Sequence, residues 1–195
     1  MRKATNTAAK EITDIISDSF YTNPSVNTVT QAKNDDSKRK KIKALAKFAF
    51  KTGLRRDGVY FSSDEKGVAI CYRFNAKKES IQDYLYQIEL VVTSIGLKRL
   101  PAVLRREKYI KSRRPKSSDY LYFWFFGVDK DARGRGAAIE LKNAIFEEAE
   151  KDKLPIYLET SVEKNKQVYE RYGFEVYHTW KDEGQEYPLW FMRKE

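Results

Sequence analysis

The sequence predicts a mixed α/β fold in which helices flank a central sheet. Residues 119–128 are almost continuously apolar, which is typical of a central strand buried on both faces. This strand runs through a glycine-bearing turn at residues 128–138 into a helical pattern of apolar residues. Two pairs of β-rich runs, at residues 58–74 and 174–193, surround short polar turns and predict antiparallel hairpins.

Composition restricts the class of protein further. The chain has 195 residues, of which 41% are hydrophobic, so a single domain spanning residues 1–195 with a substantial core is expected. With Cys71 and His178 as the single cysteine and histidine, an intramolecular disulfide and a metal-ligand cluster are excluded. Since no apolar run reaches membrane-spanning length and no signal-peptide pattern opens the chain, the sequence predicts a cytoplasmic protein without a membrane anchor.

Helices dominate the first half of the chain. Apolar residues at helical spacing predict a first helix that ends near Phe20, and Pro24 disfavours helix in the residue before it. The polar residues 22–34 are therefore interpreted as a loop. A second helix is expected from about Asp36 to Leu54. The hairpin at residues 58–74 follows it.

The middle of the chain leads into the central strand. A helix is expected over residues 81–97, interrupted by Gly96 and Pro101, and a basic helix over residues 102–111. Residues 98–116 are interpreted as a basic helical insertion within the domain. Alternation places residues 120, 122, 124, 126 and 128 of the central strand on one face.

After the turn, a helix, a strand, a second helix and a hairpin are expected. The strand covers residues 155–161 and the second helix residues 163–172. Thr160 and Glu163 have the spacing of a capping box, and Gly173 lies where a helix end uses a left-handed residue. The closing hairpin turns at residues 182–185.

The turn at residues 128–138 has the composition of an anion-binding site. Gly134 and Gly136 carry no Cβ, so an oxyanion can come close to the main chain. The following helix begins with N–H groups that lack intrahelical partners, and its dipole adds partial positive charge. Arg133 and Arg135 add guanidinium groups that suit phosphate. Together these features predict a phosphate or pyrophosphate site.

The spacing within the turn excludes two common phosphate sites. The chain lacks the GxxxxGK[ST] pattern, and Ile139 stands where a dinucleotide fingerprint has its third glycine. The pattern present, Arg133-x-x-Gly136-x-Ala138, resembles the acyl-CoA-binding signature Arg/Gln-x-x-Gly-x-Gly/Ala of the GNAT N-acyltransferases.

Motifs downstream extend this resemblance over residues 119–195. The family's second core strand is matched by residues 157–161, and the helix after it by the segment that contains Asn165. The family's Tyr-x-x-x-Gly-Phe ending is matched by residues 169–174, in the same order and spacing. Residues 188–193 resemble the last strand of the branch that includes puromycin acetyltransferase-like proteins. The hairpin at residues 58–74 matches the family more loosely.

The resemblance implies a GNAT-type fold, with a mostly antiparallel central sheet, a parallel strand pair at its centre and helices on both sides. It also implies acyl transfer from acetyl-CoA, without a metal, by direct attack of a primary amine carried by a small molecule or a peptide. The two opening helices would line the acceptor site, in a monomer or a homodimer. The residues that the resemblance assigns to donor binding are Val128, Arg133, Gly134, Arg135, Gly136, Ala137, Ala138 and Asn165.

Acyl transfer from a thioester to an amine poses two proton-transfer problems. Tyr169 matches the tyrosine that protonates the departing CoA thiolate in the family. A phenol with a pKa of about 10 is protonated at neutral pH and can donate that proton. Glu159 is the best candidate to accept the proton of the amine, although it can equally pair with a basic neighbour. His178, interpreted as a surface residue, and a chain of water molecules remain alternatives.

Basic charge is concentrated in two segments and suggests a second class of function. Residues 33–56 contain ten Lys/Arg and two acidic residues, and residues 98–116 contain nine and one. A nucleic-acid-binding protein is one alternative, although no recognised motif supports it. A catalytically silent CoA-binding regulatory module is another. A basic surface that steers the phosphates of CoA accounts for the charge without either alternative.

Overall fold

The computed structural model describes residues 1–116, 119–182 and 185–195, and it confirms the predicted mixed α/β class. The strands are β1 (Arg2–Lys3), β2 (Val59–Phe61), β3 (Gly67–Arg73), β4 (Leu121–Val128), β5 (Ile156–Thr160), β6 (Glu175–Trp180) and β7 (Leu189–Lys194). The α-helices are α1 (Ala9–Ser19), α2 (Pro24–Thr30), α3 (Asp35–Arg55), α4 (Ile81–Leu90), α5 (Leu100–Arg113), α6 (Ala137–Asp152) and α7 (Glu163–Arg171). Among the described residues, none of these helices combines the length and apolarity needed to cross a membrane.

The strands form one seven-stranded sheet in the order β1-β2-β3-β4-β5-β7-β6. Neighbouring strands are antiparallel except β4 and β5, which are parallel and lie at the centre. This confirms the expected topology. The short edge strand β1 pairs with β2 through Arg2 and Lys3, and the apolar pattern of the sequence does not indicate it.

Two apolar layers hold helices against the faces of the sheet. On one face, α1 and α3 bury residues such as Ile12 and Ala49 against Ile70 of β3. On the other face, α6 buries Leu141 and Ile145, both fully inaccessible to solvent, against β3, β4 and β5. Complete burial of such a side chain contributes about 1.5–3 kcal/mol. Strand β4 is therefore covered on both sides, as its continuous apolarity predicts.

A β-bulge in β4 contradicts the predicted alternation of this strand. The register with β3 pairs Ile70 with Phe125 but Cys71 with Phe123, so Trp124 is an extra residue on β4. As a result Phe125 shares the face of Tyr120 and Tyr122, whereas Phe126 packs on the opposite face. Strict alternation over residues 120–128 was wrong because a bulge reverses the facing of every later residue in the strand.

The prediction of a loop over residues 22–34 was also wrong, because α2 occupies most of that segment. The Asn23 side chain caps this helix by accepting a hydrogen bond from the Val26 N–H at 3.1 Å, and Pro24 takes the first helical position. Proline is tolerated there because that N–H has no intrahelical acceptor. Pro24 therefore begins a second helix a few residues after α1 has ended at Ser19.

The predicted capping box before α7 does not form. This helix has Val162 as its N-cap, and the Thr160 hydroxyl instead accepts a hydrogen bond from the Val162 N–H at 3.3 Å. Because β5 continues through Thr160, that residue lies too early to cap the helix. Gly173 does adopt the left-handed conformation expected of it, with φ of +86°.

The segment between β3 and β4 is helical, as predicted. Helix α4 continues into a π-helical turn at Val91–Ile95, which ends at Gly96 with φ of +81°. Helix α5 covers the predicted basic helix and extends it by two residues at each end. Residues 113–118 and the predicted turn at residues 182–185 lie partly outside the described residues.

Candidate active site

The parallel strands β4 and β5 separate soon after they meet, and a cleft lies between them. Their pairing is limited to Leu121 with Ile156 and Tyr122 with Tyr157. Beyond that point β4 pairs only with β3, and β5 pairs only with β7. The resulting cleft has a volume of about 730 Å³ and reaches from α7 on one side of the sheet to α3, α4 and α5 on the other. It is open enough for two substrates to meet between the strands.

The predicted phosphate-binding turn follows β4 directly. Gly134 and Gly136 have φ of +82° and +98°, and a Cβ built on either one would meet no described atom within 4 Å. The space in front of this turn is therefore free for a ligand. Gly136 is the N-cap of α6, so the helix points its unpaired N–H groups toward the same space. Arg133 and Arg135 are exposed and form no ion pair with the described residues.

The turn therefore fits the pyrophosphate of a nucleotide-bearing donor. Val128 is the last residue of β4, and Ala137 and Ala138 form the first turn of α6. None of the predicted donor-binding residues from 128 to 138 lines the cleft itself. An extended donor would have to run from the turn along the end of β4 into the cleft.

Helix α7 presents Tyr169 and Asn165 to the cleft, one helical turn apart. The Tyr169 ring is half-buried and contacts Phe123 and Phe174, with ring centroids 6.2 and 5.6 Å away. Burial raises the pKa of the Tyr169 phenol to about 12, and the neighbouring Tyr172 adds to the effect. The phenol is therefore a proton donor throughout the neutral and mildly alkaline range.

Glu159 lies between the two sides of the cleft in a buried ion pair. Its oxygens accept hydrogen bonds from Arg114 Nε and Nη2, both at 2.8 Å, and Oε2 also accepts one from the Tyr122 hydroxyl at 2.9 Å. The Glu159 side chain is 8% exposed and the Arg114 side chain is 7% exposed. Burial alone would lower the pKa of Arg114, but the charge of Glu159 outweighs it and raises that pKa. Glu159 is therefore paired with a basic neighbour, which was one of the two predicted alternatives, and it also lines the cleft. Its role as a general base stays a prediction.

One lone pair of Glu159 stays free for further hydrogen bonding. A carboxylate offers about four acceptor positions, and the described donors use three of them. The remaining position belongs to Oε1. Glu159 can therefore accept one more hydrogen bond without breaking its pair with Arg114.

The opposite wall of the cleft is mainly apolar and includes carboxylates that the sequence did not indicate. Side chains from α3, α4, the π-helical turn and α5 form this wall, which we call the acceptor wall. Asp83 of α4 and Glu107 of α5 lie on it. Glu107 is the single acidic residue of the basic segment 98–116. Its helical spacing from Val103 and Ile110, both buried apolar residues, is the signal that could have placed it on the inner face.

His178 takes no part in the cleft. It lies on β6, where its Nε2 and the Tyr109 hydroxyl are 2.9 Å apart, and it is absent from the cleft lining. Partial burial lowers the pKa of His178, and the nearby charge of Arg113 lowers it further. His178 is therefore neutral at neutral pH, in a position remote from the chemistry.

Comparisons with known proteins agree with this geometry. Residues 109–195 match the model of the acetyltransferase (GNAT) domain family. A search of curated protein sequences finds no significant match. Similar solved structures include a protein from Corynebacterium glutamicum described as histone acetyltransferase HPA2 and related acetyltransferase, with 19% identity, a TM-score of 0.66, and coverage of 99% of this chain and 93% of that one.

Two further solved structures share the fold over nearly their whole length. Arylalkylamine N-acetyltransferase 2 from Aedes aegypti has 14% identity and a TM-score of 0.64, with coverage of 99% of this chain and 96% of that one. The NatC complex bound to Gag peptide and CoA has 11% identity and a TM-score of 0.54, with coverage of 100% and 94%. Residues 109–195 thus match the acetyltransferase (GNAT) domain model, and the chain as a whole shares the fold of these solved structures.

Proposed function

We propose that this protein is an N-acyltransferase that moves the acetyl group of acetyl-CoA to a primary amine. The observation that carries the proposal is the cleft between the splayed strands β4 and β5, with a glycine-bearing turn at the end of β4 and a phenol of raised pKa lining the cleft. The match of residues 109–195 to the acetyltransferase (GNAT) domain model supports it. The resemblance of residues 188–193 to the puromycin acetyltransferase-like branch remains a prediction.

The donor-binding residues have distinct roles in this proposal. The main-chain N–H groups of Gly134, Gly136 and Ala138 bind the pyrophosphate, with the guanidinium groups of Arg133 and Arg135 beside it. Val128 and Ala137 complete the turn on either side, and Asn165 contacts the pantetheine. Acetyl-CoA would supply the activated acyl group as a thioester.

Two side chains handle the protons. The Tyr169 phenol holds a proton that it donates to the departing sulfur when the C–S bond breaks. The free lone pair on Glu159 Oε1 accepts, directly or through one water, the proton that the attacking amine loses as the C–N bond forms. The Arg114 side chain holds the Glu159 carboxylate in place through two hydrogen bonds. No metal is needed for either transfer.

A thiol-release assay tests the proposal. The purified chain is mixed with acetyl-CoA and one amine at a time, and free CoA thiol is measured with a thiol reagent. Cys71, the single cysteine, is 2% exposed, so the folded protein contributes little background. Amine-dependent thiol release supports an acyltransferase. Acetyl-CoA binding without thiol release for any amine would instead indicate the silent regulatory module. The absence of both acetyl-CoA binding and thiol release would favour another function.

The salt dependence of the reaction tests the role of the basic surface. Arg105, Lys108 and Lys111 of α5 are exposed or half-exposed cations, whereas Arg106 is buried and donates a hydrogen bond to the Ser25 hydroxyl. If the exposed cations steer CoA, the kcat/KM for acetyl-CoA falls as ionic strength rises, because screening at a Debye length of about 8 Å weakens the attraction.

Neutralising these three exposed cations together should flatten that dependence. Lys151→Gln, at the far end of α6, serves as the control and should leave it unchanged. The kcat/KM for a cationic amine should instead rise with ionic strength, since the same surface repels the amine. If the kcat/KM for the acceptor falls with salt instead, the surface attracts the acceptor; if neither constant changes, the charge has no role in steering.

A further inference from the structure

The inner face of α5 places one acidic residue among residues that build the cleft. Val103, Glu107, Ile110 and Arg114 recur at steps of four, three and four residues, so they lie on one face of the helix. Val103 and Ile110 are buried, and Arg114 holds Glu159. Glu107 lines the cleft between them and is reached by solvent. Its carboxylate is therefore available to a ligand inside the cleft.

Glu107 differs from the other carboxylates of the cleft in having no partner. Glu79 pairs with Lys111 at 3.8 Å, Asp83 pairs with Arg55, and Glu159 pairs with Arg114. Within residues 1–116, 119–182 and 185–195, Glu107 forms no ion pair and no side-chain hydrogen bond. The cleft thus offers a ligand one uncommitted negative charge.

The surroundings of Glu107 leave its charge incompletely stabilised. Although solvent reaches Glu107, neighbouring side chains displace part of its hydration, and this desolvation raises its pKa above the usual range. The charge of Glu159 adds to the rise, while Arg114, Arg106 and Lys111 oppose it. Since the net shift is upward, a cation placed beside this carboxylate would stabilise its ionised form.

The mouth of the cleft is apolar. Five apolar side chains both line the cleft and are more than half exposed. They are Tyr84, Ile88, Val92, Leu97 and Leu104, at 54%, 60%, 75%, 77% and 57%. A group of exposed apolar side chains at the entrance of a cleft is typical of a binding surface. We call these five residues the apolar mouth.

We propose, resting on the acyltransferase function above, that the acceptor is a primary monoamine on an extended apolar chain, with its ammonium group bound by Glu107 and its chain bound by the apolar mouth. A diamine of the same length fits poorly, because its second ammonium group would lie among apolar side chains, and the nearby carboxylates Glu79 and Asp83 are already paired with Lys111 and Arg55. A short amine fits poorly because it would leave the mouth unfilled.

Binding measured without acyl-CoA tests this site separately from catalysis. Calorimetry at about pH 7.5, where alkylamines are protonated, would measure the binding of octylamine, butylamine, the eight-carbon diamine and octanol to the full chain. Octylamine should bind at least about tenfold more tightly than butylamine, since each buried methylene tightens binding by up to about fourfold. It should also bind at least about tenfold more tightly than the diamine.

Two variants test the two parts of the proposed site, Glu107 and the apolar mouth, separately. Glu107→Gln should weaken octylamine binding at least about tenfold through loss of a charge-assisted contact, and it should leave octanol binding unchanged. Glu150→Gln, an exposed position of α6, is the matched control and should bind octylamine normally. Val92→Ser should weaken octylamine but not butylamine.

Equal octylamine affinity in Glu107→Gln and the unmodified protein would overturn the proposal, and so would a diamine that binds as tightly as octylamine. Octylamine binding with the expected pattern, but without thiol release from acetyl-CoA, would support this amine site and contradict acyl transfer. The two proposals can therefore fail independently.

Discussion

Gly136→Val is expected to abolish measurable acetyl-CoA binding. The space in front of Gly136 is free of described atoms, so a valine side chain would occupy the position proposed for the pyrophosphate and keep it away from the helix N-terminus. Losing two charge-assisted hydrogen bonds, each of about 1.5–3 kcal/mol, corresponds to at least about 100-fold weaker binding. Calorimetry with acetyl-CoA measures the loss.

Gly96→Val provides a control for backbone strain. Gly96 also has a positive φ, +81°, and a Cβ there would likewise meet no described atom within 4 Å. Its ψ is 147°, against −12° at Gly136. Because a side chain is tolerated less well there than in the left-handed region, Gly96→Val should lower Tm at least as much as Gly136→Val. If the Gly96 variant loses acetyl-CoA binding as well, or the Gly136 variant retains it, the turn is not the pyrophosphate site.

Tyr169→Phe should lower kcat by about 10²- to 10⁴-fold, as expected for loss of a general acid, with little change in the KM for acetyl-CoA. The phenyl ring keeps its contacts with Phe123 and Phe174, so the fold should be unaffected. A decrease confined to kcat marks a group that acts in the transition state. Tyr172→Phe, on a ring that contacts Phe146 outside the cleft, is the control and should retain full activity.

The pH profile provides a second readout for Tyr169. Because its pKa is raised to about 12, the phenol remains a donor as pH rises, and the donor is lost only as pH passes through that value. Ionisation of Tyr169 should therefore cause no decrease in kcat between about pH 7 and 10. An unchanged kcat in Tyr169→Phe would mean that this ring only packs against its aromatic neighbours.

Local patterns predicted the elements around the cleft well. The unbroken apolarity of β4, the glycine-bearing turn and the apolar spacing of α6 are each encoded within a few consecutive residues. The structure confirms all three, as well as the hairpins β2–β3 and β6–β7. The functions assigned to Tyr169, Glu159, Asn165 and the turn remain predictions.

Other features of the site depend on distant parts of the chain. The bulge at Trp124 exists only relative to the register of β3, so alternation within β4 could not indicate it. The ion pair of Glu159 joins residues 45 positions apart, and the chain has many other cations that could have served. Glu107 is a single acidic residue in a strongly basic segment, so the charge pattern of the sequence does not indicate a site there.

By itself, then, the sequence determined the class of fold and the order of the central strand, the glycine-bearing turn and the helix, because backbone conformation and apolar periodicity are local properties. Only the tertiary structure decided where β4 and β5 part, which carboxylates of the cleft are paired, and that Glu107 faces the opening. The physical reason is that a cleft and its charge balance arise from contacts between α4, α5, β4 and β5, and those contacts form only when the chain folds back on itself.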